Sequence, residues 1–191
     1  MVTLSRLVEA LSRRWLALGL LALAILFMAR RLLEYSARMR LLTGHDVFDL
    51  QGTLALADIA AQLTHYTPEA VRLYGRYSGI DFPFPFLTAL FWAALAVWGL
   101  RRARPDLLAS GAWRRWVPWC FVGCVCDWIE NVANAWVIGR YPPLHGGIAT
   151  IALLAKYGKT VAVGITVVVS MAFALWGAYT SISRFVQRRL T

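Results

Sequence analysis

Residues 120–139 read CFVGCVCDWIENVANAWVIG, an apolar run that is long enough to cross a bilayer but has polar side chains near its middle. The polar residues recur at i, i+3, i+4 and i+7, so they share one face of a predicted helix: Asp127, Glu130, Asn131 and Asn134. A carboxylate at the centre of a membrane helix costs about 2.5–3.5 kcal/mol on insertion scales. We therefore expect this face to point into a helical bundle, toward cationic or hydrogen-bonding partners.

The composition of the chain is typical of an integral membrane protein. Of its 191 residues, 59% are apolar and only 16% are charged. This is too apolar for an ordinary soluble domain, and the chain is too short for a large transporter. The net charge of +10 comes almost wholly from arginines at the ends of apolar runs. That placement favours membrane lipids with anionic head groups as partners, and it does not favour nucleic acid.

The hydropathy pattern predicts an all-α membrane bundle of four transmembrane helices in a single domain. The spans are expected at about residues 15–33, 84–100, 116–139 and 160–183. A small extracytoplasmic helical cap is expected at about residues 41–81. One cap helix is predicted at 53–63, and a second at 68–77, where Thr67 is an N-cap before Pro68. A signal peptide is the rival interpretation of the first run, but no small-residue cleavage site follows it.

The distribution of basic residues predicts the orientation. With both termini in the cytoplasm, the inner segments hold more arginines than the outer ones, and the last of them are Arg184, Arg188 and Arg189. We therefore expect a multi-pass protein of the bacterial inner (plasma) membrane, with the cap on the outer side.

Two lysines in the predicted fourth helix, Lys156 and Lys159, are candidate partners for the acids. In an antiparallel hairpin of the third and fourth spans, residues equally distant from the loop face each other, which pairs Asp127 with Lys159. The same rule pairs Glu130 with Lys156. Opposite charges at matched depth offset much of the insertion cost. Counted from the helix ends, however, Lys159 lies nearer the outer interface than Asp127. We expect either a kink at Gly158 or a fourth helix that projects beyond the membrane.

Three roles fit these polar residues. They pin helices together, as polar residues do in membrane bundles. Alternatively, they line a pocket for a lipid-like or amphiphilic small molecule from the outer leaflet, or they form a proton or ion path. The leading hypothesis is the pocket, in which the ligand is bound and could also be processed. An accessory or assembly subunit of a larger membrane complex is the alternative, and a small proton- or ion-coupled transporter is the second. The candidate protein partners are another membrane protein or further copies of the chain. The predicted ligand-binding residues are Asp127, Glu130, Asn131, Asn134, Lys156 and Lys159, and the candidate cap contributors are His45, Arg76, Asp81 and His145.

No residue is assigned a catalytic role. The sequence has no phosphate-binding glycine loop, serine-nucleophile motif or nucleotide fingerprint, so we expect no cofactor. His45, His65 and His145 are weak candidates for a metal site with the loop acids, but the spacings of zinc sites are missing, and we expect no metal. The three cysteines all fall in the predicted third span and indicate no disulfide framework.

Several short elements lie between residues 46 and 160. They are FDL (48–50), GRY (75–77), IDFP (80–83), DWIEN (127–131), YP (141–142) and the spacing of Thr150 and Lys156. Together they resemble an uncharacterised family of small four-span integral membrane proteins, with a D-W-x-E-N segment in the third span and a lysine-bearing helix downstream. The resemblance implies a shared four-helix fold and a shared polar cluster, and it carries no activity across.

Overall fold

The computed structural model of the protein describes residues 2–190, with side chains described from Thr3 to Gln187. Within these residues the chain is all-helical and has no β-strand. Arg188 and Arg189, which the predicted orientation uses, have side chains outside the described part. The helices are α1 (Val2–Ser12), α2 (Trp15–Thr43), α3 (Leu56–Leu63), α4 (Pro68–Asp81), α5 (Phe84–Ala103), α6 (Pro105–Ala109), α7 (Val122–Arg140) and α8 (Gly146–Leu190). Short 3₁₀ turns lie at Phe48–Leu50, Ala112–Arg115 and Val117–Phe121.

The two short helices of the predicted cap begin where side chains satisfy the free N–H groups of their first turns. The hydroxyl of Thr67 accepts a hydrogen bond from the Ala70 N–H at 3.2 Å, so α4 starts at Pro68 as predicted. It continues to Asp81, one turn beyond the predicted end. For α3, the carboxylate of Asp58 accepts from the Ala55 N–H at 2.8 Å. This helix therefore starts at Leu56, and the predicted start at residue 53 is wrong.

Three helical segments of the described chain are long and apolar enough to cross a membrane: Trp15–Thr43, Pro68–Ala103 and Gly146–Gln187. They support a membrane protein. The second segment joins α4, which the sequence places in the cap, to α5. Helix α7 is not among the three, because its acids and amides lower its hydropathy.

Helix α8 is far longer than a single span requires. Its 45 residues correspond to about 68 Å at 1.5 Å per residue, and the hydrocarbon core is about 30 Å thick. The helix is uninterrupted at Gly158. This length is compatible with a fourth helix that projects beyond the membrane, one of the two explanations expected for the depth of Lys159.

Contacts divide the chain into two compact units. The first, which we call the cluster unit, comprises Ala24–Phe86 and Gly123–Thr160. Its core includes an aromatic group in which the Phe48 ring stacks on Tyr66 at 5.7 Å and lies 6.0 Å from Tyr74. This core holds the 3₁₀ turn Phe48–Leu50 against α4 and so positions the acidic residue of that turn.

The second unit comprises Leu87–Val122, the described residues before Ala24 and those from Val161 onward. In it, α5 and α8 meet at Gly99 and Gly177. A Cβ atom added to Gly99 would lie 2.1 Å from the Phe173 carbonyl oxygen, and one added to Gly177 would lie 2.6 Å from the Gly99 carbonyl oxygen. The two backbones are therefore in direct contact, as small residues permit in membrane helix pairs.

Candidate functional site

Lys159 lies at the centre of a group of carboxylates in the cluster unit. Its Nζ atom is 2.7 Å from Asp127 Oδ1 and 2.6 Å from Glu130 Oε2, and it also donates a hydrogen bond to Asp49 Oδ1. The contact with Glu130 has the distance of an ion pair without the alignment of a hydrogen bond. Glu130 is only 1% exposed. One ammonium group thus forms ion pairs with three carboxylates from two different elements.

The predicted pair of Asp127 and Lys159 is present, but the predicted pair of Glu130 and Lys156 is wrong. Glu130 lies one helical turn from Asp127 on the same face of α7, so a single long side chain between them reaches both. Lys156 is buried and donates instead to the backbone carbonyls of Phe48 and Asp49, the latter at 3.1 Å. Equal depth in a hairpin therefore predicted the partner of Asp127 but not the partner of Glu130.

A second layer of hydrogen bonds extends the group to α4. Asn131 donates from Nδ2 to Asp81 Oδ2 at 2.8 Å and to Asp127 Oδ2 at 3.1 Å. The hydroxyl of Tyr77 donates to Asp49 Oδ2 at 3.0 Å. We use the name polar cluster for the charged and amide residues joined in this way: Asp49, Asp81, Asp127, Glu130, Asn131, Lys156 and Lys159. The cluster links the 3₁₀ turn, α4, α7 and α8.

The charges of the polar cluster do not balance. It contains four carboxylates and two ammonium groups, a formal excess of two negative charges. Asp81 is buried, and within the described side chains no cation lies at ion-pair distance from its carboxylate. Buried charge without a partner is costly, so the cluster has a capacity for further positive charge, either protons on its carboxylates or a bound cation.

Asp49 is the cluster carboxylate that lies outside both the three apolar segments and α7. Burial raises the pKa of its carboxyl group, but the Lys159 ammonium and the Tyr77 hydroxyl together lower it by more, so the pKa lies below the usual range. This carboxyl group is therefore ionised at neutral pH and acts as the acceptor for both partners.

Carboxylate oxygens of Asp49, Asp127 and Glu130 all lie within 4.8 Å of one another, a spacing that could hold a metal ion. In this structure the Lys159 ammonium occupies the same region. Oxygen ligands of this type suit hard cations such as Mg²⁺ or Ca²⁺. A metal ion at this group would have to displace Lys159.

The other predicted site residues are dispersed. Asn134 is buried on the polar face of α7, and Asp81, expected only as a cap contributor, belongs to the polar cluster. His45 is exposed, and His145 packs against the Trp136 ring at 4.6 Å. Arg76 lines a separate pocket. His65, the third histidine considered for a metal site, is exposed as well.

Sequence reasoning missed Asp49 and Tyr77 as members of the site. Both lie in motifs of the family resemblance, FDL and GRY, but no helical periodicity connects them to α7. Their positions depend on the packing of the 3₁₀ turn and α4.

An apolar groove of about 460 Å³ lies along α7 and α8 in the same unit, lined in part by Trp128, Val132, Trp136 and Ile151. Trp128, Val132 and Trp136 occupy the face of α7 opposite its acids, and Ile151 belongs to α8. The Trp128 Nε1–H donates to the Phe82 carbonyl at 2.7 Å, and its ring stacks on Phe82. The groove therefore provides an apolar surface beside the polar cluster without containing any of its charges.

Comparison with known proteins assigns no family. No protein-family model, no curated protein and no solved structure matches the chain. Function is therefore inferred from the polar cluster and its surroundings.

The Tyr77 hydrogen bond provides a first test of the cluster. Tyr77→Phe is expected to lower the free energy of unfolding by about 1.5–3 kcal/mol, because it removes a hydrogen bond to a charged group. Tyr74→Phe is the matched control. Tyr74 is also buried on α4, but its hydroxyl has no hydrogen-bond partner among the described residues, so its removal should be neutral or stabilising. Denaturant unfolding in detergent measures both, and equal losses would contradict the arrangement.

Proposed function

We propose that the protein is an integral membrane protein with four spans and a helical cap, which binds a lipid-like or amphiphilic small molecule at the polar cluster. Helix α7 is the fourth span. Its 19 residues correspond to about 28 Å, close to the thickness of the hydrocarbon core. The resemblance to four-span membrane proteins supports the same arrangement. The cap comprises the segment around α3 and the 3₁₀ turn Phe48–Leu50, on the outer side, with both termini in the cytoplasm.

The observation that carries this proposal is the excess negative charge of the polar cluster. Lys159 already forms ion pairs with three carboxylates, and Lys156 donates its hydrogen bonds to backbone carbonyls. Asp81 therefore has no cation available within the described part of the cluster. A ligand that brings a positive charge would neutralise this buried carboxylate, so the head group is expected to be an amine or another cation.

The surroundings of the cluster support a ligand with an apolar tail. Helices α7 and α8, which carry residues of the polar cluster, expose apolar side chains such as Val132 and Leu154 that are suited to contact with lipid. A molecule that reaches the cluster from the membrane must be apolar over most of its length. An alkyl chain with a cationic head group meets both requirements.

A second candidate function is ion-coupled transport. The observation that favours it is the close spacing of the carboxylates of Asp49, Asp127 and Glu130. In this case the excess charge would be neutralised by a metal cation or a proton and not by a head group.

The test uses Asp81→Asn, which removes a charge while leaving an amide oxygen to accept from Asn131. Wild-type protein in mild detergent is incubated with a long-chain alkylamine or with the alcohol of the same chain length, and bound molecules are counted by native mass spectrometry. The amine should bind in preference to the alcohol. Asp81→Asn should reduce amine binding by about tenfold or more.

Asp106→Asn is the control, since Asp106 is an exposed carboxylate outside the cluster unit. It should bind the amine like the wild type. Stabilisation by Mg²⁺ or Ca²⁺ that Glu130→Gln abolishes, with no amine bound, would favour the ion-coupled function. Co-purification of a stoichiometric protein partner and indifference to Asp81→Asn would favour an accessory subunit.

A further inference from the structure

A pocket of about 450 Å³ lies between the last turns of α2 and the first turns of α4, within the cluster unit. It contains none of the residues of the polar cluster. Arg38 lines it from α2, and Glu69, Arg72 and Arg76 line it from α4. Leu41 and Leu42 form an apolar part of its wall. The pocket therefore combines a formal charge of plus two with an apolar edge.

The three arginines of this pocket have no charged or hydrogen-bonding partner among the described side chains. In the part of the chain with described side chains, none of them forms an ion pair or a side-chain hydrogen bond. Arg40, by contrast, pairs with Asp46 close by in the same unit. Arg72 and Arg76 are four residues apart on one helix face, where like charges destabilise a helix. An anion between the guanidinium groups would relieve this repulsion.

The chemistry of the lining indicates a phosphate-type group. A guanidinium group presents a planar fork of N–H donors that matches two oxygens of a phosphate or carboxylate. Three such groups around one cavity provide more donors than a single carboxylate can accept.

The position of the pocket suits the head group of a lipid. Helix α2 has 29 residues and is about 43 Å long, whereas the hydrocarbon core is about 30 Å thick. Because Arg13 and Arg14 precede it at one interface, its last turns are expected at the level of the opposite head groups. Leu41 there is 87% exposed, an apolar side chain suited to an acyl chain.

We propose that this pocket binds a phosphate-bearing head group of net negative charge. It is a second site, independent of the cationic ligand proposed for the polar cluster. The anion comes either from a membrane lipid or from a soluble phosphate compound, and the two sources share the same chemistry at the guanidinium groups.

The test measures lipid selectivity. Protein in non-ionic detergent is incubated with equal amounts of phosphatidylglycerol and phosphatidylcholine, and the retained lipids are counted by native mass spectrometry. Wild-type protein should retain more phosphatidylglycerol than phosphatidylcholine. The double variant Arg72→Gln/Arg76→Gln should lose the preference by about tenfold or more, because each guanidinium contributes charged hydrogen bonds.

The control is Arg6→Gln/Arg115→Gln, which removes the same charge from exposed arginines outside the pocket and should keep the preference. Glu69→Gln should have the opposite effect to the arginine substitutions. It removes the single negative charge of the pocket, so it should increase the retention of phosphatidylglycerol. This variant also keeps the proposal testable if the double arginine variant fails to fold.

Inorganic phosphate distinguishes the sources. If it displaces phosphatidylglycerol from the wild type, the pocket recognises the phosphate group itself. If it does not, the pocket recognises the lipid with its chains, and both results support the site. Equal retention of the two lipids by the wild type, or equal losses in the two double variants, would overturn the proposal.

Discussion

Lys159→Met is expected to lower the free energy of unfolding by about 3–5 kcal/mol, the largest effect of any single substitution in the polar cluster. The Lys159 ammonium is the shared partner of Asp49, Asp127 and Glu130. Methionine fills a similar volume but leaves these carboxylates without a cation. Denaturant or thermal unfolding of the protein in detergent measures the loss.

A double-mutant cycle locates this effect in the ion pairs. The double variant Glu130→Gln/Lys159→Met should lose less free energy of unfolding than the two single variants lose in sum. The expected coupling energy is about 0.5–3 kcal/mol. The same cycle with Lys156→Met should show little coupling, because Lys156 donates to backbone carbonyls and not to Glu130. Coupling of Glu130 to Lys156 alone would restore the sequence-based pairing and contradict the structure.

Gly99→Ala is expected to destabilise the second unit by about 3 kcal/mol, at the upper end of the range for overpacking. The new methyl group would lie 2.1 Å from the Phe173 carbonyl oxygen. That oxygen belongs to the backbone of α8, so it cannot rotate away as a flexible side chain would. The two helices have to separate, and their contact at Gly177 is lost with them.

Gly164→Ala is the matched control for Gly99→Ala. Gly164 also lies in a long helix, but apart from the adjoining residues and backbone of its own helix, no described heavy atom lies within 4 Å of a Cβ built on it. Alanine favours a helix over glycine by about 1 kcal/mol, so this variant should be neutral or stabilising. Thermal unfolding in detergent compares the two, and equal stability of both variants would argue against the direct backbone contact.

The helical elements were largely predictable because local signals specify them. The 3.6-residue periodicity of α7 placed Asp127, Glu130, Asn131 and Asn134 on one face, and the structure buries all four. The start of α4 was predictable from Thr67 and Pro68, since a cap acts within one turn of chain. The number of membrane crossings was harder to predict from the sequence. The acids of α7 lower the hydropathy that would mark it as a span, and the structure by itself gives three apolar candidates.

The sequence by itself determined that α7 would bury its polar face, because the cost of exposing carboxylates to an apolar environment depends only on residue type and periodicity. Tertiary structure decided which groups meet there. Asp49 reaches Lys159 because a 3₁₀ turn packs on α4, and Asp81 joins through Asn131. These contacts link residues far apart in the chain, and no local pattern encodes such distances. The close approach of Gly99 to Phe173 has the same origin, since a glycine marks a helix contact only when its neighbour is in place.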